Sequence, residues 1–195
     1  MSKGDQTRET ILDEAVRLAS QVGFTGLTIG QLADRTDLSK SGLFAHFRSK
    51  EQLQLQTLEH ARRRFIDTTI RPALAVTRGE KRMRDLFDRW LVWESQMLPG
   101  GCIFVTGSIE FDDQPGPMRD ALVADQRDWL ETLATVARAG VEEGHFRPDI
   151  DPEQVAFELQ SLMLGYHHSA RLLGDDRALE RARSAFEGVL ERIHA

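Results

Sequence analysis

Apolar residues recur at helical spacing along nearly the whole chain. The first stripe returns every three or four residues and stops at Gly23, a residue that commonly ends helices; its members are Ile11, Leu12, Ala15, Val16, Ala19 and Val22. Longer stretches with the same spacing cover residues 80–98, 118–144, 152–173 and 179–193. No alternating strand pattern of useful length interrupts them. The pattern predicts an all-α protein.

Two short helices are predicted after the first one. The stretch TIGQLADRT begins with Thr28 and Gln31, which stand at capping-box spacing, so that each side chain can bind the other's backbone N–H. A tight turn at Asp37–Leu38 follows, and Ser39 can cap a second short helix that runs to about residue 47. The sequence therefore predicts two short helices joined by a turn.

A long fourth helix is predicted directly afterwards. Ser49 and Gln52 repeat the capping-box spacing at its start, and Pro72 is expected to bend or end it. This helix, from about residue 51 to 71, connects the first fifty residues to the rest of the chain. We therefore expect it to transmit movement between them.

The two short helices, packed by a preceding helix, have the helix-turn-helix arrangement, in which the second short helix enters the major groove of DNA. The first turn of that helix has small or extendable residues, SKSG at 39–42, which let it approach base edges. Leu43 and Phe47 lie four apart and are expected to face inward. These features predict a DNA-binding domain over residues 1–50 and a larger helical domain over residues 51–195.

The segment LTIGQLADRTDLSKSGLFAHFRSKEQL resembles the signature of the TetR (tetracycline-repressor-like, TetR/AcrR) transcriptional regulators, from about Thr7 to Leu55. The resemblance implies an all-α fold with an N-terminal three-helix helix-turn-helix domain followed by a larger ligand-binding and dimerisation domain. It also implies a set of DNA-binding residues: phosphate contacts by Thr28 and Lys50, base-facing positions at Gly30, Lys40, Ser41 and Gly42, and the sugar-phosphate edge at Phe44 and His46. Phe44 stands where the family usually has tyrosine, so it keeps the apolar contact and loses a hydroxyl group.

The larger domain offers two further surfaces. A single recognition helix buries too little area for selective binding, so we expect a homodimer on a palindromic operator. The expected dimer interface comes from the last two helices and comprises Leu159, Leu162, Met163, Phe186, Val189, Leu190 and Ile193. Large apolar side chains favour a pocket for a small, largely apolar effector; the expected lining is Trp90, Trp93, Met97, Phe104, Phe111, Trp129, Tyr166 and His167.

Charge and cysteine content limit the possible partners. Residues 1–50 carry seven basic and six acidic side chains, a net charge of +1, whereas residues 51–195 carry eighteen and twenty-five, a net charge of −7. An acidic body disfavours adhesion to polyanions, so DNA contacts are expected only in the first fifty residues. The single cysteine, the absence of a secretory signal at the start of the given sequence and the lack of a long apolar run predict a cytoplasmic protein without a membrane partner.

The sequence therefore favours a ligand-responsive dimeric transcriptional regulator, most simply a repressor that an effector releases from double-stranded DNA. One alternative is a redox- or electrophile-sensing regulator that uses Cys102. Another is a helical small-molecule-binding domain with a degenerate DNA-binding head. We find no catalytic constellation and expect neither an enzyme, a metal site nor a cofactor, because no nucleophile-elbow or metalloprotease spacing is present.

Overall fold

The structure, a computed structural model, describes residues 3–36 and 38–195, with side chains from Gln6 onward. Within this part of the chain, helices account for all regular structure except one isolated antiparallel bridge between Phe146 and His194. The all-α prediction is confirmed. The α-helices are α1 Lys3–Gly26, α2 Ile29–Arg35, α3 Lys40–His46, α4 Lys50–Phe65, α5 Arg71–Ala75, α6 Glu80–Val92, α7 Ile103–Glu110, α8 Pro117–Glu142, α9 Pro152–His167 and α10 Ala178–Ile193.

Two compact units make up the chain. The first comprises Met1–Ile66 and Ser95–Ala124, and the second comprises Asp67–Glu94 and Asp125–Ala195. The first unit thus joins the predicted helix-turn-helix to α4, α7 and the first turns of α8. This first unit, called the head below, is therefore built from two separate stretches of sequence.

The first helix does not stop where its apolar stripe predicts. It continues to Gly26 with a kink at Gly23, whose φ of 75° is a left-handed conformation that glycine adopts readily. Burial changes abruptly from one side of the kink to the other. Val22, a member of the predicted stripe, is 39% exposed, whereas Phe24 beyond the kink is fully buried.

The predicted N-caps form at the starts of α2, α3 and α4. Thr28, Ser39 and Ser49 each accept a hydrogen bond from the backbone N–H three residues later, at 3.2, 3.1 and 3.1 Å. A cap of this kind stabilises a helix by about 1 kcal/mol. In the first box the Thr28 hydroxyl also bonds the Gln31 side chain, at 3.0 Å. The predicted turn at Asp37–Leu38 includes Asp37, which lies outside the described residues.

Pro72 does not end the fourth helix, because α4 ends earlier, at Phe65. A single π turn, Ile66–Ile70, follows α4, and Pro72 then lies in the first turn of α5. In the first turn of a helix a missing N–H leaves no hydrogen bond unmade. Two further π turns, Trp93–Met97 and His168–Leu172, follow α6 and α9.

The second unit packs α6, α8, α9 and α10 around its own core. Phe87 on α6 stacks on Phe186 of α10 with ring centroids 4.1 Å apart. Arg84 donates two hydrogen bonds to Glu187, at 2.6 and 2.9 Å, and these lower the pKa of that carboxyl. Asp151 caps α9 as predicted, accepting from two backbone N–H groups. None of the described helices is long and apolar enough to cross a membrane.

Candidate nucleic-acid interface

Helix α3 has a buried side and an exposed side, and they separate as predicted. Leu43 and Phe47 are fully buried, which anchors the helix on the first unit. Lys40 and Ser41 are exposed in its first turn, and Gly42 is half-buried. The Ser39 hydroxyl lies 3.0 Å from that of Ser41 and accepts from the Gly42 N–H. The first turn therefore presents small polar groups and one cation, which suits contact with base edges.

The start of α2 lies beside the start of α3. The Cε and Nζ atoms of Lys40 are each 3.8 Å from the position that a Cβ atom would take on Gly30, and Thr28 Oγ1 is 3.9 Å from the same point. Three of the predicted DNA-binding residues are thus brought together. The ammonium of Lys40 lies where the N-terminus of α2 already attracts anions, because helix N-termini carry partial positive charge.

The end of α3 exposes an aromatic side chain. Phe44 is 56% exposed, although it is among the most apolar residues of the head. His46 is half-buried, and its ring lies 6.3 Å from the buried ring of Phe47. An exposed phenyl ring on a helix that presents a cation and serines is consistent with apolar contact to a sugar or a thymine methyl.

Lys50 is exposed, but its ammonium is not directed only at solvent. Its Nζ atom donates a hydrogen bond to the backbone oxygen of Thr25, at 2.5 Å. Thr25 lies in the last turn of α1, where free carbonyl groups carry partial negative charge. Lys50 therefore ties α4 to the end of α1 in addition to its predicted phosphate contact. Arg48, which the sequence analysis did not single out, is a further exposed cation just before Ser49.

The kink of α1 is held by side chains that sequence reasoning missed. Glu110, the last residue of α7, accepts from the Phe24 N–H at 2.7 Å and from the Thr25 hydroxyl at 2.8 Å. Gln54 on α4 donates to the Phe24 carbonyl at 2.7 Å. Gly23 at the end of the apolar stripe was the one signal in the sequence, since a glycine there indicates a break in the helix but not the side chains that hold it.

The residues predicted to line an effector pocket fall into both compact units. In the first unit, the Phe104 ring lies 5.6 Å from Phe65, and the Phe111 ring lies 6.4 Å from Phe24. These two phenylalanines are buried and Met97 is half-buried. The two phenylalanine rings pack against other buried rings as core residues do. A contact of Phe104, Phe111 or Met97 with a ligand therefore stays a prediction.

The other five predicted pocket residues belong to the second unit. Trp93 is fully buried, Trp129 donates to the Gln160 side chain at 3.0 Å, and the Trp90 and Tyr166 rings meet edge to face at 6.1 Å. His167 lies next to this aromatic pair. Its Nδ1 atom is 2.9 Å from Oε1 of Glu94, a buried carboxylate. The second unit therefore contains an aromatic cluster with one carboxylate and one imidazole.

The predicted dimer residues are mostly inside their own chain. Six of the seven are buried, and Leu162 is half-buried; the six are Leu159, Met163, Phe186, Val189, Leu190 and Ile193. The exposed surface of α9 is formed by other residues. Between positions 157 and 168 they are Phe157, Ser161, Leu164, Gly165 and His168, with no Asp, Glu, Lys or Arg among them. These five residues form an uncharged stripe on the outer side of α9.

The described residues give little support to thiol sensing or to metal binding. Cys102 precedes α7 and is 2% exposed, whereas sensor thiols are typically accessible. No group of three or more His, Cys, Asp or Glu side chains in the described part of the chain is arranged to hold a metal ion.

Comparison with known proteins adds to this geometry. Residues 11–57 match the model of the bacterial regulatory proteins of the tetR family, and residues 79–186 match a tetracyclin repressor-like C-terminal domain. The HTH-type transcriptional repressor NemR of Escherichia coli is 28% identical over 94% of either chain. The repressor NicS of Pseudomonas putida is 24% identical over 92% of this chain and 84% of its own. The crystal structure of a TetR transcriptional regulator from Chloroflexus aurantiacus superposes with a TM-score of 0.85, at 28% identity, over 98% of this chain and 96% of that one.

Proposed function

The chain belongs to the TetR family of transcriptional regulators, and from that premise we propose that it is a dimeric repressor that reads a palindromic operator and is released by a small effector. The observation that carries the proposal is the capped helix α3, whose apolar side is buried while Lys40, Ser41 and Phe44 stay exposed. Two full-length relatives, NemR and NicS, are repressors, which supports this sign of regulation.

In the proposed complex, α3 lies in the major groove and its first turn faces base edges. Lys40 reaches a guanine, while Ser41 and Gly42 allow close approach and Phe44 and His46 contact the sugar-phosphate edge. Thr28 and Lys50 bind phosphates and fix the position of the helix. Positioning contacts of this kind add affinity without adding sequence preference.

A second copy of the chain provides the second recognition helix. The proposed interface is the uncharged stripe of α9, Phe157 to His168; the exposed Arg171 and Leu172 follow it, and Leu172 is 74% exposed. On α10 the exposed residues include Ser184, Ala185 and Gly188, which are small enough for close helix packing. A Cβ atom added to Gly165 or Gly188 would meet nothing within 4 Å, so both backbones are open to a partner. Half-sites are then expected about 34–36 Å apart or at a multiple of that distance.

Release by an effector requires only that the effector bind one arrangement of the dimer more tightly than the other. A ligand that binds the DNA-incompetent arrangement of the dimer about a hundredfold more tightly shifts the equilibrium by roughly 2.7 kcal/mol. We place its binding region among the aromatic residues of the second unit. No catalytic step is involved.

The proposal is tested by a salt-dependent gel shift on DNA from around the protein's own gene. Lys40→Ala should weaken specific binding by about 1–3 kcal/mol and change the preferred sequence, because a base contact is lost. Lys81→Ala is the matched control, since Lys81 is an exposed lysine of α6. Equal effects of the two substitutions would contradict the role of Lys40. Failure of the wild type to bind any duplex at low ionic strength would contradict the function itself.

A further inference from the structure

The second unit buries a carboxylate that nothing in DNA reading requires. Glu94 is 2% exposed, and it directly follows the fully buried Trp93. Burying an ionised carboxylate costs several kcal/mol even after relaxation, and a well-packed apolar residue is often at least as stable as a buried ion pair. Fold stability alone therefore gives little reason for a glutamate at this position.

The carboxylate pairs with a residue that reaches the surface. His167 Nδ1 lies 2.9 Å from Glu94 Oε1, and the His167 side chain is 16% exposed against 1% for that of Glu94. The imidazole therefore covers the carboxylate on its outer side. A group that displaced the imidazole would reach the carboxylate directly.

Two aromatic rings belong to the same contact between helices. Trp90 precedes Glu94 by one helical turn, and Tyr166 is the neighbour of His167 in sequence. The two rings are 6.1 Å apart with an interplanar angle of 73°, so their faces point in nearly perpendicular directions. Aromatic faces in this kind of arrangement recognise substituted ammonium groups through cation–π attraction, and Glu94 lies one helical turn from Trp90.

The local backbone is irregular on both sides of the pair. Glu94 lies within the π turn Trp93–Met97, and His167 is the last residue before the π turn His168–Leu172. Single π turns inside helices occur frequently at functional sites, because the extra residue redirects side chains that a regular helix would point elsewhere. Two such turns meet at one contact here, an observation independent of the charge.

We propose that Glu94, Trp90 and Tyr166 form a subsite for the positively charged nitrogen of the effector, an ammonium or quaternary ammonium group attached to an apolar body. The proposal rests on the proposed function, since it names the chemistry of the effector that the repressor senses. The cation takes the place of the His167 imidazole at the carboxylate and lies against the two rings. At a carboxyl group an anionic ligand is disfavoured and a neutral one gains no charge attraction.

The test compares two ligands of the same shape. Benzyltrimethylammonium and dimethyl benzyl carbinol differ chiefly in charge, and both are titrated into the full-length protein by calorimetry at constant ionic strength. The wild type should bind the cation at least about tenfold more tightly than the alcohol, a difference of about 1.4 kcal/mol. Glu94→Gln should abolish this preference, whereas Glu191→Gln, a change at an exposed carboxylate of α10, should leave it intact.

A second pair of variants keeps the test decisive if Glu94→Gln does not fold, which far-UV circular dichroism would reveal. Trp90→Phe retains an aromatic face and should keep the preference for the cation, whereas Trp90→Leu should lose it. A purely structural role for Trp90 would lower stability in both variants without changing the ratio of the two affinities.

Three results would overturn the subsite: equal affinity of the wild type for both ligands, no binding of the cation at millimolar concentration, or an unchanged preference in Glu94→Gln. A gel shift of the wild type on the same DNA separates these from failure of the proposed function. If DNA binds while the two ligands bind alike, the repressor function stands and the cation subsite is wrong. If no DNA binds, the proposed function fails regardless of the ligand data.

Discussion

At the residue scale, Lys50 combines an observed hydrogen bond with a proposed contact: its ammonium bonds the Thr25 carbonyl at 2.5 Å and is also the proposed phosphate contact. Its sequence position predicts the phosphate role from the family signature. The bond to Thr25 was not predictable, because it depends on where the kink of α1 places a carbonyl group.

Lys50→Ala should weaken binding to operator and to unrelated DNA by similar factors, because a phosphate contact carries no sequence information. The slope of log affinity against log salt concentration should fall by about one. The measurement is a gel-shift or fluorescence titration at several salt concentrations. Lys50→Arg retains the charge and should retain the slope, and an unchanged slope in Lys50→Ala would remove Lys50 from the phosphate contacts.

The sequence predicted buried and exposed residues well in short helices where apolar residues recur at regular helical spacing. In α3, Leu43 and Phe47 were expected inside and are fully buried, and the predicted caps form. In α1 the same reasoning failed at Val22, the last residue before the kink at Gly23, and it did not place Phe24 beyond the kink in the core. Local spacing predicts a face only as far as the backbone stays regular.

At the scale of elements, α9 has two apolar stripes, one buried in its own chain and one exposed. The stronger stripe, with Leu159 and Met163, is buried in its own chain, and the weaker one, with Phe157 and Leu164, is exposed. The apolar spacing alone predicts the stronger stripe as the dimer surface. Periodicity identifies an apolar stripe but not what covers it, so the second stripe became visible only when the intramolecular packing was known.

Leu164→Glu should therefore convert the dimer to a monomer, because a two-fold interface would bury two new carboxylates. The dissociation constant should rise at least about a hundredfold, or roughly 2.7 kcal/mol. Leu74→Glu is the control, since Leu74 is 44% exposed on α5 and Leu164 is 40% exposed. Sedimentation velocity at micromolar concentration measures both. A dimer that tolerates Leu164→Glu would exclude this face.

At the scale of the molecule, the head is held by a helix from the later part of the chain. Glu110 on α7 binds the N–H of Phe24 and the hydroxyl of Thr25 at the kink of α1. Sequence separation hides this contact, because the two ends lie more than eighty residues apart and neither carries a motif. The fold class and helix α3 were predictable from the sequence, whereas the contact of Glu110 with the kink of α1 was not.

Glu110→Gln should loosen that connection without disturbing the dimer. A neutral amide accepts less strongly than a carboxylate, so the Phe24 amide should exchange hydrogen faster and the unfolding free energy should fall by about 1 kcal/mol. Operator affinity should also fall, since the helices of the head lose a fixed support. Glu191→Gln again serves as the control. Unchanged exchange at Phe24 together with unchanged operator affinity would show that the contact is incidental.

Helix α7 and the turn before it approach α1 closely, because Gly100 and Gly107 have no side chains at the points of contact. A Cβ atom on Gly100 would lie 1.7 Å from the Ser20 carbonyl oxygen, and one on Gly107 would lie 2.9 Å from the Phe24 ring. A chimera that transplanted residues 1–50 onto another regulator's body would leave Phe24 without this surface unless the recipient supplied equally bare backbone at two places. The portable piece is therefore discontinuous in the gene, and operator specificity in this protein is better re-engineered by exchanging the exposed residues of α3 than by swapping heads.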